Sequence, residues 1–314
     1  MRTLQSTSEP YPDKGPVPLK LFYCDHHDLP LTEGHKFPVR KYRLAREKLQ
    51  NSEHMELLAA PMAPVESIEL VHSEEYIARF FDGTLESSVI RRIGFPWSQG
   101  LVNRTLASIG GTLSATAAAL ESGFAGTLAG GTHHAFRTEG AGFCVFNDLA
   151  IATEWLRAHH ALTRIAIIDL DVHQGDGTAA IFDGDREVYT LSLHGASNFP
   201  FRKQKSCLDI PFPDGTTDQQ YLPALASALD EVWAFCPQFV FYQSGVDGLL
   251  SDKLGRLALS LGGLEKRDEM VFSAVAERGI PIAVTIGGGY SDPIELTAEA
   301  HAQTFTTAAA IFRR

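Results

Sequence analysis

Short apolar runs alternate along this chain with longer amphipathic or alanine-rich stretches. The short runs, residues 19–24, 127–129, 165–169, 188–193, 239–243 and 282–286, are rich in β-branched and aromatic side chains and nearly continuous in hydrophobicity. Strands buried on both faces read this way, and they belong to parallel sheets covered by helices. The longer stretches, 104–121, 148–159, 218–235, 263–277 and 297–312, read as helices. Several open on an acidic or hydroxyl residue, and Gly279 closes the fourth. The alternation predicts an α/β fold. No repeat or flexible linker interrupts it, so residues 19–314 are expected to form one domain after an irregular leader of residues 1–18.

Composition narrows the function classes. With 314 residues, 44% hydrophobic and 21% charged, the chain is able to bury a substantial core and is neither disordered nor fibrous. A net charge of -11 leaves no general affinity for phosphate backbones, so no nucleic-acid partner is expected, and the basic run at 202–205 reads as a solvated loop. Cys24, Cys144, Cys207 and Cys236 lie far apart without a Cys-x-x-Cys pair. Neither a disulfide framework nor a thiolate zinc site follows, and reduced thiols are the simple reading. Residues 1–15 are polar, and no uncharged apolar run reaches spanning length. A soluble, cytoplasmic protein without membrane contact is the expectation.

Four polar clusters each follow a predicted strand, at the rim where open α/β sheets bind ligands. In Asp169-Leu170-Asp171-Val172-His173-Gln174-Gly175-Asp176-Gly177 a buried strand runs into three carboxylates and an imidazole, a costly burial unless they pair or hold a cation. If the chain stays extended, Asp171 and His173 project to one side as two donors for a divalent metal. The bland alternative is a solvated acidic turn capping the next helix. A third donor should come from another strand end, and Asp247, after Ser244-Gly245-Val246, is the candidate; by itself it reads as a turn residue or N-cap. Gly130-Gly131-Thr132-His133-His134 supplies paired imidazoles whose rings, on a strand, point to opposite faces and so differ in role. The pairs His26-His27 and His159-His160 read as surface or satisfied core. Gly287-Gly288-Gly289-Tyr290 puts a phenol on a glycine loop, as an oxyanion donor or an ordinary surface tyrosine.

Taken in order, these segments together with Gly142-Phe143-Cys144-Val145-Phe146-Asn147-Asp148 resemble the signature segments of the histone deacetylase superfamily, over the chain from about Leu19 onward. Gly34-His35-Lys36-Phe37-Pro38, Lys41-Tyr42, Gln174 and Lys266-Arg267-Asp268-Glu269 are most similar to its class IV branch and bacterial relatives, although Asp176 stands where that branch carries asparagine. The resemblance implies the arginase/deacetylase fold, three αβα layers around a mostly parallel sheet. It implies that Asp171, His173 and Asp247 bind Zn2+, that His134 is general base and then acid, that His133 gives electrostatic help, and that Tyr290 polarises the carbonyl. Asp169 and Asp176 are then the carboxylates facing His133 and His134. Phe143 and Phe199 become walls of an acyl-lysine tunnel, and Gly142 offers its carbonyl to the substrate. A structural K+ is implied on Asp169, Asp171, His173, Ser192 and Leu193.

The implied reaction is hydrolysis of an acyl group, acetyl or longer, from the Nε-amine of lysine in a protein or peptide. Two carboxylates and one imidazole are also hard enough a set for Fe2+. Acetylpolyamine or small-metabolite amide hydrolysis are the enzyme alternatives. The long insertion of the polyamine branch is missing between Cys24 and Lys41, which favours lysine. A non-catalytic acyl-lysine binding module and a binuclear ureohydrolase like arginase stand further off, the latter needing extra bridging carboxylates.

Overall fold

A computed structural model describes residues 17–313. Residues 1–16, nearly all of the expected leader, lie outside the described residues. Eight strands form one sheet: β1 (Leu19–Tyr23), β2 (Met55–Ala59), β3 (Phe124–Thr127), β4 (Ile165–Asp169), β5 (Val188–Gly195), β6 (Leu208–Phe212), β7 (Phe239–Gln243) and β8 (Ile282–Thr285). Their order is β2-β1-β3-β8-β7-β4-β5-β6, with every pairing parallel. The helices are α1 (Arg40–Leu49), α2 (Val65–Glu69), α3 (Glu74–Phe81), α4 (Ser87–Ile93), α5 (Gln99–Ser122), α6 (Asp148–His160), α7 (Asp176–Ile181), α8 (Asp218–Ala234), α9 (Leu261–Arg278) and α10 (Ile294–Phe312).

The central strands show why the fold has three layers. Every residue of β4 and β7 is buried. Side chains alternate across a strand, so Ile165, Ile167, Phe239 and Phe241 face one layer with Ala107 and Ile109 of α5 and Leu149 of α6. Ala166, Ile168, Val240 and Tyr242 face the other, with Leu225 of α8, Phe272 of α9 and Phe305 of α10. Both faces are therefore apolar, and the sheet is closed to water on both sides.

The predicted strand at 127–129 sits three residues too late, since pairing starts at Phe124 and stops at Thr127. The edge strands β2 and β6 escape the apolar-run criterion because each has only one fully buried residue. α6 and α8 start where the sequence predicts, while α5, α9 and α10 start earlier. Ser98 caps α5 through Leu101 N at 3.0 Å, and Ser260 caps α9 through Gly263 N at 2.9 Å. Among the described residues, no helix is long and apolar enough to cross a membrane.

Close approach of α5 to the chain after β2 depends on Gly110, where a Cβ would fall on the Pro61 carbonyl oxygen. At Gly262, in the first turn of α9, a Cβ would meet only Ser260 Oγ, at an ordinary 3.8 Å. Gly110→Ala is expected to lower stability by roughly 2 kcal/mol, the backbone clash outweighing the helix-propensity gain. Gly262→Ala should be neutral or slightly stabilising, and thermal unfolding of the two variants checks the contrast.

Candidate active site

Sheet order fixes where a site forms. β4 and β7 are neighbours, yet β4 is continued by β5 on one side and β7 by β8 on the other. Loops leaving this pair part in opposite directions and open a crevice at the carboxyl ends. Asp169 and Gln243 are the last paired residues of the two strands. Asp171 and His173 follow the first strand, and Asp247 follows the second.

Beyond Asp169 the chain bends instead of staying extended, so hydrogen bonds and not strand spacing bring the donors together. His173 N donates to Asp171 Oδ1 over 2.9 Å, folding the segment back on itself. Val172 N donates to Asp247 Oδ1 over 2.9 Å, tying that segment to the β7 loop. As a result His173 Nδ1 lies 3.0 Å from Asp171 Oδ1 and 3.1 Å from Asp247 Oδ2. One donor atom from each of the three lies within 4.8 Å of the others.

Asp171 and Asp247 are almost wholly buried. Burial and the Asp171 charge push the Asp247 carboxyl up to about 7. Burial opposes a charge on His173, but hydrogen bonds to both carboxylates overcome it and lift the ring to about 10. A proton held by two buried carboxylates and an imidazole occupies a donor set that suits a divalent cation, so the residues fit one.

The paired imidazoles do not sit on a strand. Gly130 and Gly131, at φ +77° and +71°, turn the chain first, and His133 and His134 lie in the turn that follows. Both rings face the same site, their centroids 4.1 Å apart, which corrects the expectation of opposite faces. Asp148, at the start of α6, fixes this turn by accepting from Gly131 N at 3.0 Å, Thr132 N at 2.7 Å and Thr112 Oγ1 at 2.6 Å.

His133 Nδ1 is 2.6 Å from Asp169 Oδ2, and His134 Nδ1 is 2.6 Å from Asp176 Oδ1. With each Nδ1 engaged, each Nε2 is left for chemistry. Burial opposes a proton on both rings. At His133 the Asp169 and Asp171 charges outweigh it and raise the ring to about 9. At His134 the charge on His133 adds to burial, outweighs Asp176 and lowers the ring to about 4.

Phe143 holds a left-handed backbone, φ +66°, pinned by its own N donating to Ile93 O at 2.8 Å and by Gly142 N donating to Arg92 O at 3.0 Å. Phe199 packs edge-on to His134 at 4.9 Å. Gly142, Phe143, Phe199, His134, His173 and Tyr290 line a cavity of about 350 Å³. A more polar recess of about 60 Å³ shares Phe143, His134, His173 and Tyr290 with it and adds His133 and Asp171. Burial, reinforced by Asp247 and Asp171, pushes the Tyr290 phenol well up, so it stays protonated as a donor. Its amide donates to Asp252 Oδ2 at 2.6 Å.

Ser192 pairs with Asp169 across β4 and β5, and Leu193 follows it; both are buried. His26, His159 and His160 are exposed and His27 half-buried, away from this site. Residues 202, 204 and 205 of the basic run are exposed, and all four cysteines are free thiols. Asp148, Asp252 and Lys41 carried no role in the sequence reading. Lys41 is fully buried and donates through Nζ to Gly287 O at 3.0 Å. Burial brings it down to about 8 against the opposing pull of Asp247 and Asp171. The clearest signal for Asp148 is its place directly after Asn147, whose side chain caps α6 by accepting from Ala150 N at 3.0 Å.

The turn that carries the imidazoles rests on His72. Its Nε2 accepts from Asn147 N at 2.9 Å, and Asn147 Nδ2 donates to Ala135 O at 3.2 Å and Thr178 Oγ1 at 3.0 Å. Burial lowers His72 to about 4. The folded chain therefore binds fewer protons than the unfolded chain between about 6.5 and 4. Stability from this group is complete above about 6.5 and is lost as pH falls toward 4, by up to roughly 3 kcal/mol. Denaturant unfolding at pH 7.5 and 5 should show a smaller pH difference for His72→Gln than for the wild type.

A histone deacetylase domain profile matches residues 35–307. An uncharacterized protein of Picosynechococcus sp. is 45% identical over 276 residues, covering 87% of this chain and 92% of its own length. A probable deacetylase of Archaeoglobus fulgidus is 34% identical over 281 residues, 81% of this chain and 76% of its own. Histone deacetylase 2 of Arabidopsis thaliana is 33% identical over 235 residues, 70% of this chain and 60% of its own. A crystal structure of a histone deacetylase homologue complexed with SAHA superimposes with a TM-score of 0.79 at 27% identity, over 95% of this chain and 84% of that one. The domain match, the extent of these likenesses and the all-parallel eight-stranded sheet agree: the chain belongs to the histone deacetylase family of hydrolases and has the arginase/deacetylase α/β fold.

Proposed function

We propose that the protein removes an acyl group from the Nε-amine of lysine in a protein or peptide, with a divalent ion, Zn2+ or alternatively Fe2+, held by Asp171, His173 and Asp247. The observation that carries this reading is the convergence of those three donors within 4.8 Å, beside two imidazoles whose Nδ1 atoms are each taken by a carboxylate. When bound, such an ion supplies Lewis acidity, lowering the pKa of water and polarising a carbonyl. His134, low enough to be neutral at pH 7, takes the water proton at Nε2 and returns it to the leaving amine. His133, protonated at that pH, adds positive charge where the oxyanion develops. Asp169 and Asp176 hold the two rings in orientation, and the Tyr290 phenol donates to the oxyanion.

Phe143 and Phe199 flank an extended acyl-lysine arm, with Gly142 O accepting from its amide. An acetylpolyamine is the alternative amine, and the lack of a long insertion between Cys24 and Lys41 favours lysine. A structural K+ on Asp169, Asp171, His173, Ser192 and Leu193 completes the reading, as do cytoplasmic placement, membership of the class IV branch and a single catalytic domain from Leu19 onward.

A panel of acetyl-lysine peptides, longer acyl-lysine peptides and acetylpolyamines, assayed with metal content measured in parallel, tests the proposal. Amine release from acyl-lysine, abolished by chelation and restored by Zn2+ or Fe2+, is the expected result. Tight peptide binding without amine release would instead mark a binding module. Tyr290→Phe should fold normally and lose about 10²-fold in kcat. Asp176→Asn should lower kcat by about 10²-fold and move the acid limb of the pH–rate profile to lower pH, since Asp176 is what raises His134 against burial.

A further inference from the structure

Behind the three donors, on the face of the crevice turned away from the cavity, α9 carries Arg267 and Asp268, each 1% exposed. The Arg267 guanidinium reaches past the end of the strand ladder. Its Nη1 donates to Gly245 O at 2.5 Å and to Leu170 O at 3.4 Å, and its Nη2 donates to Ser244 Oγ at 2.9 Å. Asp268 is its counter-ion, 2.9 Å from Nε, and is itself held by Tyr242 OH at 2.5 Å and Thr304 Oγ1 at 2.7 Å.

The carbonyls so engaged have a particular place. Leu170 stands one residue before Asp171, and Gly245 two before Asp247. The last rung between the strands is Leu170 N donating to Gln243 O at 3.1 Å. Beyond it the ladder stops, and two links remain between the segments: Val172 N on Asp247 Oδ1 on the donor side, and the rigid guanidinium fork from behind. Arginine suits this task because its donors are fixed in a plane, whereas a lysine ammonium offers a point charge on a flexible stem. We infer that Arg267 is a positioning residue for metal binding: its guanidinium sets the separation of the Asp171 and Asp247 loops from behind, so that their carboxylates meet one ion in front.

This assignment rests on the metal reading proposed above, and the test separates the two. Zinc affinity of the full-length chain is measured by competition with a chelating indicator, for wild type, Arg267→Met with Asp268→Asn, and Arg267→Lys. The double variant leaves no unpaired buried charge and keeps an acceptor for Tyr242. Folded by circular dichroism, it is expected to bind Zn2+ about 10–100-fold more weakly. Arg267→Lys, which retains the charge but not the fork, should also be weakened, and it decides the matter if the double variant does not fold. A merely structural role would lower the unfolding temperature and leave zinc affinity of the folded variants unchanged; that result overturns the assignment alone. Wild-type protein that takes up no stoichiometric zinc overturns the metal reading and the assignment with it.

Discussion

Two carboxylates buried side by side at the parting of two central strands are the constraint to which the rest of the site answers. Asp171 and Asp247 have almost no contact with solvent, and burial together with the Asp171 charge makes ionisation of Asp247 harder. Such a pair persists only where cationic groups or donors surround it. His173 lies between them, Val172 N and Gly288 N donate to them, the buried Arg267 stands behind their loops, and the buried Lys41 lines the recess in front, on the Gly287 carbonyl. Nearly all of this compensation comes from backbone amides and from residues distant in sequence, so the carboxylates are stable only in the finished fold.

The glycines of the rim follow from the same crowding. A Cβ at Gly245 would come 2.6 Å from Asp171 Oδ2, one at Gly287 2.5 Å from the same atom, and one at Gly288 would overlap Asp247 Oδ2. Glycine here is less a matter of flexibility than of leaving the donor oxygens room. The loop that carries Tyr290 can thereby pass directly over the carboxylates, with its amide fixed to Asp252.

How far all this was legible in the sequence differs by layer. The strands β4, β5, β7 and β8 announce themselves because both their faces are buried, and their ends then locate the polar clusters. The edge strands β2 and β6 do not, because one covered edge and half-exposed faces leave no continuous apolar run. Donor identities could be read from Asp171, His173 and Asp247, but not the way they meet. The chain bends after Asp169, and His133 and His134 share a face because two left-handed glycines precede them. Periodicity cannot express either event. What Asp148 and Arg267 do was not legible for another reason: the backbone atoms they hold, Gly131 N and Thr132 N for the one and Gly245 O and Leu170 O for the other, lie in distant loops, and no local spacing encodes such contacts.

The two imidazoles show how one fold drives like groups apart. His133 and His134 are adjacent, equally buried, and each bonded to a carboxylate at 2.6 Å. What separates them is which other charges they see. His133 also faces Asp171 and rises to about 9; His134 faces the cation this creates at His133 and falls to about 4. Burial lowers the second ring first, and the proton on the first ring adds to it. A neutral ring at His134 is favoured by a fixed proton at His133, and that proton depends on the buried carboxylates from which the site is built.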